Sequence, residues 1–356
     1  DRPAPLYAEV IEVPERLGPR GEVIEPLDTS ALDGPVDALL ARGVTVAAVA
    51  LLHAYRDPRH ERDLERWLLD RGFDHVSRSS DLAPSIKIVP RAQTAVVDAY
   101  LSPVVRDYVD RVGALGDLLM MTSAGGLLDT AAFRPKDSLL SGPAGGVVGA
   151  ARAGRVSGRD HVIGFDMGGT STDVARYDGD YEYVYEHRVG SARLVAPALA
   201  VETVAAGGGS ICWLDGERLR VGPQSGGAQP GPACYGAGGP LTLTDVNLLL
   251  GRLDPSRFEI PVTRDPAHRR LQALRDELEA RTGRSIPDDE LLEGWLAIAN
   301  EAMASAIRRI SLRRGYDPAG YALVAFGGAG GQHACGVAEQ LEMRRVIVPR
   351  DAALLS

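Results

Sequence analysis

Val162-Ile163-Gly164-Phe165-Asp166-Met167-Gly168-Gly169-Thr170-Ser171-Thr172-Asp173-Val174 is the stretch on which the fold of this chain turns. Its short apolar run reads as a buried strand that turns through two glycines edged with hydroxyls and returns through Val174-Ala175-Arg176-Tyr177 as a second strand. Gly168 and Gly169 can adopt backbone angles closed to other residues, so successive N–H groups can converge on an anion with no Cβ in the way. Thr170, Ser171 and Thr172 add hydroxyl donors. Asp166 at the strand end and Asp173 beyond the turn suit Mg²⁺, held directly or through water. An ordinary glycine turn, in which Asp and Thr satisfy their own backbone, competes with this reading.

The chain has 356 residues, room for about two domains with full cores. Hydrophobic residues make up 45%, yet charge or glycine interrupts every long apolar run before it would span a bilayer. The first residues, Asp1-Arg2-Pro3-Ala4-Pro5, lack the basic start and apolar core of a secretory signal, so a cytoplasmic location is expected. Cys212, Cys234 and Cys335 are widely spaced with no Cys-x-x-Cys pair, which points to free thiols rather than a disulfide framework or zinc knuckle. A net charge of −9 without a basic cluster argues against nucleic acid and anionic membrane as partners. A bound nucleotide would rely on backbone amides and a metal.

Residues 1–35 read as two short strands, 6–13 and 21–26, around a turn at Gly18-Pro19-Arg20-Gly21. A short helix over 36–42, a buried strand over 44–52, an amphipathic helix over 58–71 with Leu64, Trp67 and Leu68 on one face, and a strand over 74–78 follow βαβ logic. His53 closes the 44–52 strand; such a histidine more often caps or packs than catalyses. A helix over 91–112 and a strand over 118–122 lead into Ser123-Ala124-Gly125-Gly126, which serves equally as a ligand-facing turn or a plain one. This alternation implies a mostly parallel sheet, with ligands beyond the strand C-termini.

Ser141-Gly142-Pro143-Ala144-Gly145-Gly146 opens a small-residue helix suited to close packing between domains, with a ligand at its N-terminus as the sharper alternative. Residues 141–160 are the expected crossover between two lobes. After a strand over 181–189 come Gly207-Gly208-Gly209-Ser210, a short hairpin around Asp215-Gly216, and a long Gly/Pro loop over 223–240 that reads as functional. Cys234 within it has no nearby histidine to activate it and reads as a buried structural thiol. Thr244 is a candidate cap for the helix starting at Leu243, and Asp288 or Asp289 for the long helix whose apolar stripe includes Leu291, Trp295, Ile298, Met303, Ile307 and Ile310. Residues 264–283 read as a charged, solvated helix. A buried strand over 321–326 runs into Gly327-Gly328-Ala329-Gly330-Gly331-Gln332-His333, then a helix over 334–343 and a strand over 345–348.

That second glycine turn lacks the Gly-x-Gly-x-x-Gly fingerprint, and no Gly-Lys-Ser/Thr occurs anywhere, so Rossmann and P-loop folds recede. A strand–turn–strand hairpin followed later by strand–turn–helix is the order of phosphate and adenosine motifs in the sugar kinase, Hsp70 and actin superfamily. The fold expected is therefore α/β, a two-lobed actin-like ATPase. The chain resembles the hydantoinase A/5-oxoprolinase family, which includes N-methylhydantoinase A and the related acetone and acetophenone carboxylase subunits. The resemblance runs nearly end to end. It is carried by Gly164 to Asp173, Ser141 to Gly146, Gly231-Pro232-Ala233-Cys234-Tyr235-Gly236, Thr244-Asp245-Val246-Asn247 with Gly251-Arg252-Leu253-Asp254-Pro255, and Phe326 to His333.

The resemblance implies ATP and Mg²⁺ in a cleft between lobes. Gly168, Gly169, Thr170, Ser171 and Thr172 would lie at the phosphates, Asp166 and Asp173 at the metal and the chemistry, and Gly327, Gly328, Ala329 and Gly330 near the adenosine. It implies ATP-dependent hydrolysis of a cyclic amide (hydantoin, N-methylhydantoin or 5-oxoproline) through phosphoryl transfer to the carbonyl oxygen. The alternatives are the ATP-using subunit of a ketone carboxylase and an actin-like nucleotide switch. A hydantoinase B-like subunit or fused domain and assembly into an oligomer are expected. Family members carry a further Asp-x-Gly-Gly-Thr-like loop in the first lobe, unmatched before Val44, and continue past Ser356. Residues 1–140 thus read as the rear of an incomplete first lobe, 161–356 as the second lobe, and the whole as an internal segment.

Overall fold

Glycine punctuation and apolar periodicity resolve into two units in the computed structural model, which describes residues 5–114, 116 and 118–355. One unit comprises the chain up to Ser141 together with Tyr183–Leu199; the other comprises Gly142–Glu182 and the chain from Ala200.

In the first unit, β1 (Arg16–Leu17) and β2 (Val23–Glu25) pair antiparallel around the 18–21 turn. Residues 6–13 form no strand, contrary to their apolar pattern: Leu6, Tyr7 and Val10 face solvent, and no neighbouring strand takes up their backbone. Helix α1 (Asp33–Ala41) leads to β3 (Val46–Val49), and α2 (Arg59–Asp70) carries the chain across to β4 (His75–Arg78), parallel to β3. Leu64 and Leu68 of α2 pack with Val36, Val49, Leu51, Phe73 and Val76, while Trp67 lies at the margin of that core. The single turn α3 (Ser79–Leu82) precedes α4 (Ile88–Gly113). β5 (Leu119–Met121) and β6 (Leu127–Asp129) form a hairpin, so Ser123–Gly126 is its turn, with the Ser123 and Gly125 amides donating to the Asp137 and Thr122 carbonyls. Two of the four amides of that turn are thus taken up within the protein.

The second unit opens with α5 (Ser141–Val156), followed by β7 (His161–Met167) and β8 (Thr172–Asp178), paired with Met167 opposite Thr172 and Asp166 opposite Asp173. The chain then forms β9 (Tyr183–Val189) and β10 (Ala192–Leu199), a hairpin that groups with the first unit although the sequence set all of 161–356 in the second. Beyond it come β11 (Glu202–Val204), the β12 (Ser210–Asp215) and β13 (Arg218–Ser225) hairpin, α6 (Leu243–Leu249), α7 (Arg264–Thr282), α8 (Asp288–Arg314), β14 (Ala322–Phe326), α9 (Gly330–Gln340) and β15 (Val346–Ile347). Thr242, not Thr244, caps α6: its hydroxyl and amide both reach Asp245 three residues on, a capping box. α7 buries Ala267, Leu271 and Leu278, so only part of its surface is solvated.

The sheet of this unit runs β11-β8-β7-β14-β15, parallel across β7, β14 and β15 and antiparallel across β7, β8 and β11. It is mixed, because the hairpin at Gly168–Ser171 returns the chain directly to its neighbour. Side chains alternate across it. Ile163, Phe165 and Met167 meet Trp295, Met303 and Ile307 of α8 and Val337 of α9 on one face, while Val162 and Val324 meet Ala150 and Ala151 of α5 on the other. A Cβ on Gly154 would come within 2.6 Å of Val162, so the small residues of α5 serve close packing on the sheet of its own unit. Among the described residues no helix is long and apolar enough to cross a membrane.

Candidate active site

The C-terminal ends of β7 and β14 lie side by side, with Asp166 opposite Phe326, and both glycine turns start there. Gly327 has φ +78°, and a Cβ would fall 2.3 Å from Asp166 Oδ1 and 2.6 Å from the Met167 carbonyl, so the chain can turn against the strand end only as glycine. The Ala329 amide donates to the Met167 carbonyl at 2.8 Å and the Gly327 amide to Ala352 at 2.9 Å, while Gly330 already begins α9. Gly328 is exposed; Ala329 and Gly330 are buried beneath it.

In the hairpin turn the Gly168 amide closes onto the Ser171 carbonyl at 3.0 Å. Gly207–Gly209 backs the turn, a role invisible in the triplet itself: the Gly208 and Gly209 amides donate to the Gly168 and Gly169 carbonyls at 3.0 and 2.6 Å. A Cβ on Gly207 would lie 2.7 Å from backbone atoms of Gly169, Thr170 and Ser171. Thr244 supports the brace in turn, its amide and hydroxyl both donating to the Gly208 carbonyl at 2.7 and 2.9 Å, and the Gly226 amide from the Gly/Pro loop donates to Gly209 at 2.8 Å. With its carbonyls drawn backward, the turn leaves the amides of Gly169, Thr170 and Ser171 donating to no protein group among the described residues. Gly169 and Thr170 are exposed and Ser171 is half-buried. Neither Gly168 nor Gly169 takes a positive φ, so the turn opens without the left-handed glycine that its pattern led one to expect. Thr172 does not join them: it is fully buried, and its hydroxyl donates to the Ala206 carbonyl at 2.5 Å.

Asp166 and Asp173 stand on opposite strands of the hairpin and line one narrow cavity with Pro143, Val147, Gly164, Ala175, Val201 and Phe326. Thr203 of β11, opposite Asp173, donates its hydroxyl to Asp173 Oδ1 at 2.6 Å. Carboxylate oxygens are the donors that a hard divalent cation takes. Asp166 and Asp173 supply two oxygen donors of that kind, and among the described residues no group of three or more His, Cys, Asp or Glu side chains converges.

Behind the second glycine turn, His333 is fully buried. Its Nδ1 lies 2.8 Å from Asn300 Oδ1 of α8 and its Nε2 3.0 Å from Asn247 Nδ2 of α6, so Nδ1 carries the proton and three helices are tied together. Burial, aided by the Arg252 charge, pushes its pKa down to about 4. In the Gly/Pro loop the Ala233 and Cys234 amides donate to the Asp245 carboxylate at 3.0 and 2.7 Å. Burial and the Asp245 charge hold the Cys234 thiol well above its ordinary range, consistent with a structural thiol.

In the first unit a cavity of about 200 Å³ is lined by Arg78, Arg106, Arg134, His75, Asp81 and Asp98 among others. These groups satisfy one another: Arg106 reaches His75 Nδ1 at 2.7 Å, His75 Nε2 reaches Ser77 at 3.0 Å, and Ser77 donates to Asp98 at 2.8 Å. His53 stands elsewhere, in the turn after β3, with φ +62°.

Residues 91–356 match the family described as Hydantoinase/oxoprolinase, and residues 1–72 the one described as Hydantoinase/oxoprolinase N-terminal region. 5-Oxoprolinase 1 of Arabidopsis thaliana is 39% identical over 397 residues, covering all of this chain and 31% of that protein. The crystal structure of the ATP-dependent caprolactamase from Pseudomonas jessenii superposes with a TM-score of 0.81 at 32% identity, covering 96% of this chain and 52% of that one. Nucleotide-free acetone carboxylase superposes with a TM-score of 0.79 at 27% identity, covering 96% of this chain and 50% of that one. The chain thus spans between about a third and a half of the proteins it matches. Sequence and structure agree, and the chain belongs to the hydantoinase/oxoprolinase family.

Proposed function

We propose that this chain is the nucleotide-handling part of an enzyme that uses ATP to hydrolyse a cyclic amide such as 5-oxoproline, hydantoin or N-methylhydantoin. The observation that carries this reading is the run of three unpaired amides at Gly169–Ser171 beside the Asp166–Asp173 pair. Relatives named 5-oxoprolinase and ATP-dependent caprolactamase support it. The meeting of a strand–turn–strand hairpin and a later strand–glycine turn–helix at one sheet end supports reading the fold as an actin-like ATPase.

In this reading the Gly169, Thr170 and Ser171 amides receive phosphate oxygens, and Gly327–Gly330 borders the adenosine. Asp166 and Asp173 would hold Mg²⁺, Asp173 with one oxygen already taken by Thr203. The bound metal would offset charge on the phosphate oxygens. The amide carbonyl oxygen attacks the γ-phosphorus and ADP departs. Water then adds to the activated carbon, the ring C–N bond opens with the nitrogen taking up a proton to leave an acyl phosphate, and a second water at the same carbon displaces phosphate, which carries away the former carbonyl oxygen. Because the chain spans only part of its relatives, a further domain or a hydantoinase B-like subunit is proposed to complete the site.

The likeness to acetone carboxylase favours a second reading, in which the same phosphoryl activation serves ketone carboxylation. The test is ADP release by the complete polypeptide with its partner, comparing 5-oxoproline, hydantoins, and acetone with bicarbonate, against Asp166→Asn. Stimulation by a cyclic amide that is lost in the variant supports the hydrolase; stimulation only by ketone with bicarbonate transfers the protein to the carboxylases. Turnover indifferent to every substrate leaves an actin-like switch.

A further inference from the structure

Glu61 and Asp245 are both carboxylates with no exposed surface. Glu61 is matched by a cation. Arg91, also fully buried, pairs with it, and between them they take both backbone groups of Leu51: the Leu51 amide donates to Glu61 Oε1 at 2.9 Å, and Arg91 Nη2 donates to the Leu51 carbonyl at 2.8 Å. Asp245 is matched by neutral donors instead. The Thr242 amide and hydroxyl reach its Oδ2 at 2.8 and 2.9 Å, and the Ala233 and Cys234 amides reach Oδ2 and Oδ1 at 3.0 and 2.7 Å. A buried charge is tolerated only where donors replace the water it has lost. The Thr242 pair alone makes the cap of α6, and a cap of that kind needs no burial. The other two donors come from 12 and 11 residues upstream, in the Gly/Pro loop.

Two hydrogen-bonded routes join this point to the hairpin turn, and every group in both belongs to the second unit. Along the loop, the Gly231 amide donates to the Gly226 carbonyl at 3.1 Å, the Gly226 amide to Gly209 at 2.8 Å, and the Gly209 amide to Gly169 at 2.6 Å. From the residue before Asp245, the Thr244 amide and hydroxyl donate to Gly208, whose amide donates to Gly168. Both routes are tight: a Cβ on Gly226 would lie 3.1 Å from the Gly231 carbonyl oxygen, and one on Gly209 2.9 Å from that of Gly169. Across a trans peptide the carbonyl of one residue and the amide of the next point in opposite directions. Drawing the Gly168 and Gly169 carbonyls back therefore turns the Gly169 and Thr170 amides the other way.

We propose that Asp245 is a positioning residue for the nucleotide phosphates: its carboxylate anchors the Gly/Pro loop, and through Gly226 and Gly209 the loop sets the direction of the Thr170 amide. The loop is then a support of the turn. This rests on the phosphate role of that turn proposed above.

The test uses the complete polypeptide with its partner, with ATP and adenosine as probes, and Asp245→Asn and Thr242→Val as variants. Asparagine keeps the volume but turns an NH₂ toward amides that need an acceptor, whereas Thr242→Val removes the cap hydroxyl and leaves both loop amides their carboxylate. Asp245→Asn is expected to weaken ATP binding by about tenfold or more and to leave adenosine binding within about twofold, since adenosine carries nothing for the turn to hold. Thr242→Val is expected to lower Tm while changing ATP affinity by less than about threefold. A folded Asp245→Asn protein that binds ATP within about threefold of wild type, or that loses ATP and adenosine in equal proportion, overturns the inference and leaves the phosphate reading standing. Amide hydrogen exchange of the wild type decides the matter if that variant does not fold. The non-hydrolysable analogue AMP-PNP is expected to slow exchange over 226–236 by about fivefold or more, together with 168–171. Slowing at 168–171 with none at 226–236 overturns the inference. A wild type that binds ATP no more tightly than adenosine overturns the phosphate reading, and this inference falls with it.

Discussion

At the end of β7 the backbone is held by backbone: Gly208 and Gly209 take the carbonyls of the Gly168–Ser171 turn, and Gly207 leaves no room for a Cβ. At the end of β3 it is held by side chains, a buried glutamate and arginine gripping both polar groups of Leu51. The first arrangement leaves the Gly169, Thr170 and Ser171 amides unbonded to protein among the described residues and contains no charge of its own, so it is vulnerable to added atoms. The second depends on two charges that neutralise each other out of water, so it is vulnerable to removed ones. The same task of fixing a strand end thus predicts opposite sensitivities in the two units.

The largest expected effect tests the charged clamp. Arg91→Met leaves Glu61 buried without its cation and should cost about 3–5 kcal/mol in chemical denaturation; a loss below about 1 kcal/mol would mean the pair holds nothing. Next comes the support behind the second glycine turn. His333 takes a proton only near pH 4 in the folded protein but near 6.5 when unfolded, so between those values the unfolded chain binds more protons. Stability is then complete above pH 6.5 and declines as pH falls toward 4, by up to about 3 kcal/mol. Denaturation of wild type and His333→Gln at pH 7.5 and 4.5 isolates this contribution, which the variant should lack.

Added atoms test the glycine brace. Gly207→Ala drives a methyl into the turn and should weaken ATP binding about a hundredfold, or about 2.7 kcal/mol. Gly328→Ala, where a Cβ meets nothing within 4 Å, should change it by less than about threefold. Equal effects would erase the distinction between bracing and bordering glycines. A smaller effect than that of the brace belongs to Thr203→Val, which removes one exposed hydrogen bond to Asp173 and should reduce turnover about fivefold, or about 1 kcal/mol, with Thr203→Ser restoring it.

The same contrast explains what the sequence disclosed. The hairpin, the second glycine turn and the αβ alternation were legible because each is local: apolar spacing sets the strand and glycine sets the turn within a dozen residues. The brace was half legible, since three glycines in a row stood out but nothing in them named Gly168 as partner. The Glu61–Arg91 clamp was silent, because its members are 30 residues apart and each reads as an ordinary helix charge. Thr172 was misjudged for a related reason: strand alternation points its hydroxyl inward to Ala206, away from the turn that its neighbours edge. Residues 6–13 had the pattern of a strand and lacked a partner to pair with.

The central claim is that phosphate is transferred to the amide carbonyl oxygen before the ring opens. It is tested by turning over 5-oxoproline labelled with ¹⁸O at the ring carbonyl, in ordinary water with ATP, and locating the isotope in the products. The account predicts that the label appears in inorganic phosphate and that Asp166→Asn abolishes its appearance. Label retained wholly in the new carboxylate, with none in phosphate, would contradict it.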